Sequence, residues 1–406
     1  MRKIILIIVF INSIVLADWE AVNSPVNMFI YSVSFTNNST GYIGTQAGMI
    51  YKTTNGGQNW TFQQLAGLGG YDINEIFINP INNNHVYAAG NDGSFHKTTN
   101  GGANWSFVDL GSSHLRTVVF FDLLHGITAS YGNQMFITSN GGNSWNTVST
   151  GILTENYWSS FSAGNAVYVS ASGGKIIKST NAGVNWVIQS INEDALVFSL
   201  YFKDANTGYA GTDGGKVYQT TNGGTNWFLL SVLNPAISIH SIVSNGADIF
   251  LCGNAGCIFK RPAGSSTWYQ QVSNYSSSFF DLCFTDEFTG YAVGNNGTIR
   301  KTTNSGDPIG IEPVSGNTAV RYTLFQNYPN PFNPLTNIEF SIPQRTYVKL
   351  IIYDNLGREV VTLVNEELPA GNYKTDLNAN SLSGGIYYYR MITRDYTDTK
   401  KMVLVK

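Results

Sequence analysis

Charge is what this 406-residue chain has least of. Its 23 Lys and Arg and 26 Asp and Glu make up 12% of the sequence, about half of the usual ~25%. With a net charge of −3 and no basic stripe, it lacks the electrostatic footprint of a nucleic-acid binder. Cysteine is scarce too. Cys252, Cys257 and Cys283 show no zinc-site spacing with histidine, and an odd number leaves at least one thiol unpaired within the chain. Cys252 and Cys257 flank the turn 253–256. They either pair across a hairpin or are small buried residues at the places of Val293 and Thr298 in the next repeat. There is no Gly-x-Ser-x-Gly elbow, His-Glu-x-x-His helix or P-loop, and no motif calls for a cofactor or a metal. Long apolar runs are missing as well. The stretch Ile4 to Ile11 is too short to span a bilayer. Preceded by Arg2 and Lys3 and followed by Val15-Leu16-Ala17, it reads as a signal peptide over residues 1–17. Its removal leaves 21 basic and 26 acidic residues, net −5, and no membrane span.

What the chain has in quantity is one recurring turn. Thr53-Thr54-Asn55-Gly56-Gly57-Gln58-Asn59-Trp60 returns as Thr98 to Trp105, Thr138 to Trp145, Ser179 to Trp186 and Thr220 to Trp227, with a degenerate copy ending at Trp268 and a truncated one at Thr302-Thr303-Asn304. The central position falls at Asn55, Asn100, Asn140, Asn181, Asn222, Ala263 and Asn304, in steps of 45, 40, 41, 41, 41 and 41 residues. Asn-Gly tolerates the positive φ of a tight hairpin, and the Asn side chain bonds nearby N–H groups. These asparagines are therefore structural turns, and each following Trp is expected to pack on the hairpin or on the next blade. Every repeat also divides into four short apolar strands, as in Met28 to Phe35, Gly41 to Thr45, Met49 to Thr54 and Asn59 to Leu65. Seven units of four strands predict an all-β seven-bladed β-propeller over residues 18–307. Trp19 lies 41 residues ahead of Trp60, one repeat interval. The seventh repeat has a turn and no Trp strand, so the N-terminal strand is expected to close the last blade.

The turn resembles the Asp-box of sialidases and bacterial neuraminidase repeats, with Asn in place of Asp. In that family the box is a structural turn away from the active site. Together with the recurring Phe-to-Gly-Tyr turn at Phe35 to Tyr42, Phe202 to Tyr209 and Phe284 to Tyr291, the propeller resembles photosystem II stability and assembly factors and their bacterial relatives. That resemblance implies binding or assembly roles. After Asp307 the character changes. Residues 308–320 form a Pro, Gly, Ser and Thr linker without periodicity. Residues 321–406 carry Asn327-Tyr328-Pro329-Asn330-Pro331-Phe332-Asn333-Pro334, then Asn355-Leu356-Gly357-Arg358, Ser383-Gly384-Gly385-Ile386-Tyr387 and a terminal Lys400 to Lys406. They resemble the type A C-terminal sorting domain of the type IX secretion system of Bacteroidota. The resemblance implies a small Ig-like β-sandwich, the secretion machinery as partner, and a protein secreted or held at the cell surface via the periplasm.

Function must then lie in the propeller. The residues between blades, where the repeats stop resembling each other, supply the candidate ligand-binding face: Tyr71, Asp72, His114, Arg116, Glu155, Tyr157, Trp158, Glu193, Asp194 and Tyr275, with His240 nearby. Trp158 stands out among the eight tryptophans because it lies outside the box register and the N-terminal strand. An aromatic ring there can stack on a sugar or anchor a protein. No catalytic residue is assigned. A sialidase needs an arginine cluster, and the propeller has only Arg116, Arg261 and Arg300. A glycoside hydrolase of sialidase-like or xyloglucanase-like shape stays open as the alternative. It would draw on Asp72, Asp92, Glu155, Glu193, Asp194 and Asp213, two of them ~5 to 9.5 Å apart across a cleft.

Overall fold

The computed structural model describes residues 19–67, 70–152, 155–306, 312–315, 319–368, 370–379 and 382–406. The signal peptide expected over residues 1–17 lies outside them. The chain divides into two compact units, one within Ala17–Gly306 and one within Asp307–Lys406. The first is a seven-bladed propeller of four-stranded antiparallel sheets. Blade 1 comprises Ile30–Phe35, Gly41–Thr45, Ile50–Thr53 and Thr61–Gln63. The inner strands of blades 2 to 7 are Ile73–Ile78, His114–Phe120, Tyr157–Ala163, Val197–Phe202, Ile239–Ser244 and Phe279–Phe284. Blade 7 takes its fourth strand from the N-terminus: Glu20 pairs with Lys301 and Ala21 with Arg300. Beside that strand, Trp19 is fully buried, and its Nε1 donates to Gln271 Oε1 at 3.1 Å.

Each turn is held by two side chains. The Gly57 amide donates to Thr53 Oγ1 at 2.9 Å, and the Asn59 amide to Asn55 Oδ1 at 2.9 Å. The same clasp uses Asn100, Asn140, Asn181 and Asn222. In blade 7 the Thr302 hydroxyl donates to Asn304 Oδ1. Positive φ falls on the two residues after the Asn, Gly56 at +66° and Gly57 at +83°, and not on the Asn itself. In blades 1, 2 and 5 the carbonyl of the first of these residues is captured by a Tyr and a Lys of the preceding blade. Gly101 accepts from Tyr42 Oη and Lys52 Nζ, Gly223 from Tyr168 and Lys178, and Gly56 from Tyr291 and Lys301. The Trp rings pack both within and between blades, Trp60 edge-on to Phe35 and Trp105 edge-on to Tyr42 of the preceding blade. The three cysteines are free thiols, so the hairpin disulfide between Cys252 and Cys257 is absent; both are buried as small apolar residues. Asp204 and Asp286 cap the Phe-to-Gly turns by accepting from the amides two and three residues on.

The second unit is a sandwich of two four-stranded sheets. Alternation along Leu335–Ile342 and Thr346–Tyr353 buries Ile338, Phe340, Val348, Leu350 and Ile352 against Tyr389, Met391, Met402 and Leu404. Most of residues 308–320, read above as a linker, lie outside the described residues. Glu312–Ser315, however, form an edge strand on Gly371–Asn378, so part of that stretch belongs to the sandwich. The Pro-rich motif covers the opposite sheet's edge strand: Phe332 N donates to Val403 O at 3.0 Å, and Val403 N donates to Asn330 Oδ1 at 2.9 Å.

Because Trp19 is buried where the two ends of the propeller meet, Trp19→Ala should destabilise it by about 3–5 kcal/mol in denaturant unfolding. A loss below about 1 kcal/mol, the scale of an ordinary substitution, would show that closure does not depend on this ring.

Candidate functional site

The inner strands share a three-residue pattern, apolar, variable, then small and polar. It reads Ile30-Tyr31-Ser32, Ile73-Asn74-Glu75, Leu115-Arg116-Thr117, Tyr157-Trp158-Ser159, Val197-Phe198-Ser199, Ile239-His240-Ser241 and Phe279-Phe280-Asp281. In every blade a β-bulge falls at the variable residue. A bulge re-aims a side chain out of the ladder, and here all seven variable residues line one axial cavity of about 530 Å³.

Around its mouth the rings touch in sequence. Trp158 meets Phe198 edge-on at 4.9 Å, Phe198 meets His240 at 5.7 Å, His240 stacks on Phe280 at 5.6 Å, and Phe280 lies 5.4 Å from Tyr31. The remaining arc is polar. The Arg116 guanidinium sits 5.4 Å over Trp158 and donates to Asn74 Oδ1 at 3.3 Å. Asp72 accepts from the Ala47 amide at 3.0 Å and from the Tyr31 hydroxyl at 3.4 Å. Asp72, Arg116, Trp158 and His240 are thus brought together, and Tyr31, Asn74, Phe198 and Phe280 join them.

The other expected ligand residues lie elsewhere. Tyr157 is fully buried, its hydroxyl bonded to Thr150; it is core between blades and does not face a ligand. Glu155 pairs with Lys175, and Glu193 with Lys216 and Tyr218. Asp194 is exposed. Tyr71 faces Asp92, whose amide reaches the exposed His114. Tyr275 donates to Asn295 O at 2.6 Å beneath the Arg300 guanidinium. Asp213 caps Leu196 N. Glu155, Glu193, Asp92 and Asp213 are thus engaged by neighbours of their own, and none of them lines the axial cavity.

One residue along each inner strand, the small polar group bonds to the adjacent blade. Ser32 Oγ accepts from Ile76 N at 3.0 Å, Ser199 Oγ from Ile242 N at 2.8 Å, and Ser241 Oγ from Leu282 N at 3.3 Å. Asp281 fills the role in blade 7. It accepts from the Val33 and Leu282 amides and from the hydroxyls of Ser32 and Ser241. Burial raises its carboxyl to about 6 despite these donors. Blade 2 breaks the rule with Glu75, whose carboxylate receives no hydrogen bond from the described residues. Burial first, and the nearby Asp281 second, push it well above its ordinary value, with Arg116 opposing. Burial likewise lowers His240, so the ring stays neutral near pH 7.

With this geometry in view, the comparisons with known proteins can be placed. Residues 326–406 match the family described as secretion system C-terminal sorting domain. The chain ends in a type IX sorting domain. That sorting domain marks the propeller as exported, either secreted or at the cell surface. Residues 11–116 match the family of photosynthesis system II assembly factor YCF48. Among solved structures, YCF48 bound to D1 peptide is 18% identical, with a TM-score of 0.61 over 71% of this chain and 96% of that one. PorZ, a surface component of the type IX secretion system of Porphyromonas gingivalis, is 12% identical with a TM-score of 0.57, over 95% of this chain and 60% of that one. An ancestral GH74 enzyme is 14% identical with a TM-score of 0.58, over 95% and 63%. At these identities the likeness is one of fold. No curated protein matches the chain.

Glu75 gives a pH test. Its folded-state pKa lies above its unfolded one, so the native state keeps the proton longer. The group costs nothing below the unfolded pKa of about 4.3, and destabilises the fold increasingly as pH rises through the folded value. Glu75→Gln should therefore melt with the wild type near pH 4 and above it near pH 8. An equal shift at both pH values would refute the assignment.

Proposed function

We propose that this chain is a non-catalytic binding propeller, exported through the periplasm by type IX secretion, that engages its partner at the mouth of the axial cavity. The ring of Tyr31, Trp158, Phe198, His240 and Phe280, completed by Arg116, Asn74 and Asp72, carries this reading. Rings that present apolar faces beside a few fixed polar groups are the usual anchors of recognition. The solved YCF48 was captured with a bound peptide, and PorZ is a surface component of the secretion system. The hydrolase alternative takes weight from the GH74 neighbour. Of the two carboxylates that line the cavity among the described residues, Asp281 already accepts four hydrogen bonds from the fold, and Glu75 alone is free of it.

Two measurements test the reading. In a glycan array and pull-down, Trp158→Ala should lose at least ten-fold in binding while staying folded, whereas Trp186→Ala should lose stability. Equal binding by wild type and Trp158→Ala would move the site elsewhere, and turnover of a polysaccharide or sialoside panel by the purified protein would favour the hydrolase. Deleting residues 322–406 in the native host should trap the propeller in the periplasm with its melting temperature unchanged; export without the tail would overturn the route.

A further inference from the structure

The mouth and the cavity below it are unevenly charged. Among the described residues, Glu75 and Asp281 line the cavity with Asp72 beside its mouth, Arg116 is the one permanent cation lining it, and His240 is held neutral by burial. The three acids are not equivalent. Asp72 and Asp281 are engaged by donors of the fold. Glu75 holds nothing: at the position where blades 1, 5 and 6 carry a serine bonded to the next blade's amide, it carries a carboxylate without a donor among the described residues. Glu75 is half-buried and lines the cavity, so its carboxylate is free to receive a ligand's donor, and ionisable groups placed in a cleft in this way concentrate at functional sites. Above it, the π faces of Tyr31, Trp158, Phe198 and Phe280 offer negative potential of the kind that attracts a cation. Arg116 over Trp158 is an internal example of the same contact. The cavity is enclosed by all seven inner strands, so it suits a group that protrudes from its carrier more than a chain running across the face.

Taking the mouth as the binding site, we propose that it receives a basic side chain, a lysine ammonium or arginine guanidinium, presented by a partner polypeptide, with the alkyl stem against the aromatic arc and the charge beside Glu75. A long basic side chain combines an apolar stem with a charged head, matching the rings above and the acid below.

The test uses the purified full chain and an acetylated, amidated glycine-rich peptide bearing one lysine or one arginine. The same peptide with norleucine or glutamate serves as comparison, and binding is followed by saturation-transfer NMR and titration calorimetry into the millimolar range. The lysine and arginine peptides should bind at least ten-fold more tightly than the norleucine peptide, with the glutamate peptide weakest. Glu75→Gln should remove that preference. Equal binding of all four peptides, lost in Trp158→Ala, would overturn the charge assignment while leaving the mouth as the site. Failure of both basic peptides to bind overturns the proposal, and if a glycan then binds in a Trp158-dependent way, the mouth again survives. A preference for lysine that persists in Glu75→Gln would also refute the role given to that carboxylate.

Discussion

The carbonyl of the residue that follows the turn asparagine, captured in blades 1, 2 and 5 by a Tyr and a Lys of the preceding blade, is the directional contact on which the packing of these blades depends. The turn's own hydroxyl and amide hold that carbonyl in one orientation, and a Tyr and Lys of the preceding blade reach it from outside, as Tyr42 and Lys52 do at Gly101. Neither part suffices alone. Without the Thr98 and Asn100 clasp the acceptor would wander, and without the donors the blades would meet only through apolar faces that could slide. A hydrogen bond is modest in net energy, about 1 kcal/mol. It is directional, however, and where it recurs it fixes the angle between neighbouring sheets. Blade 6 shows the tolerance of the scheme. There Asp248 accepts from the Ala263 amide, and Arg261 donates to the Ser265 carbonyl in place of the Asn clasp.

With the outer periphery fixed in this way, the inner strands are free to vary at one position. The bulge takes a residue out of the ladder without disturbing the small polar group after it, which still bonds the neighbouring blade. Seven nearly identical units can thus present seven different side chains at one mouth. The aromatic arc from blade 4 round to blade 1 and the polar arc of blades 2 and 3 arise from substitutions that leave the scaffold untouched.

Much of the fold was legible because the turn repeats with its chemistry intact. Asn55 and its equivalents announced the hairpins, and the motifs from Asn327 to Lys406 announced the sandwich through the sorting domain they resemble. Trp158 was legible for a different reason: it broke the spacing of the other tryptophans. Tyr31, Phe198 and Phe280 were not, because an aromatic residue inside an apolar strand reads as core, and only the bulge turns it toward the axis. Glu75 was hidden in the same way, on a strand and away from the loops where variation was sought. Conversely, Glu155 and Glu193 looked as free as any loop carboxylate. Their partners Lys175 and Lys216 lie 20 and 23 residues away, and only the fold brings them together. Tyr157 adjoins Trp158 in sequence but points the other way along the strand, into the core.

The blade that joins the two ends of the propeller has a consequence for how the protein is made. Glu20–Ala21 belongs to a sheet whose other three strands begin at Phe279. This strand therefore has no mate until nearly the whole ring has followed. A fragment that stops in any earlier blade keeps an unmatched strand edge and an uncovered Trp19, both of which invite aggregation. Closure thus acts as a check on length, because only a chain that reaches the last blade can cover Trp19 and pair Glu20–Ala21.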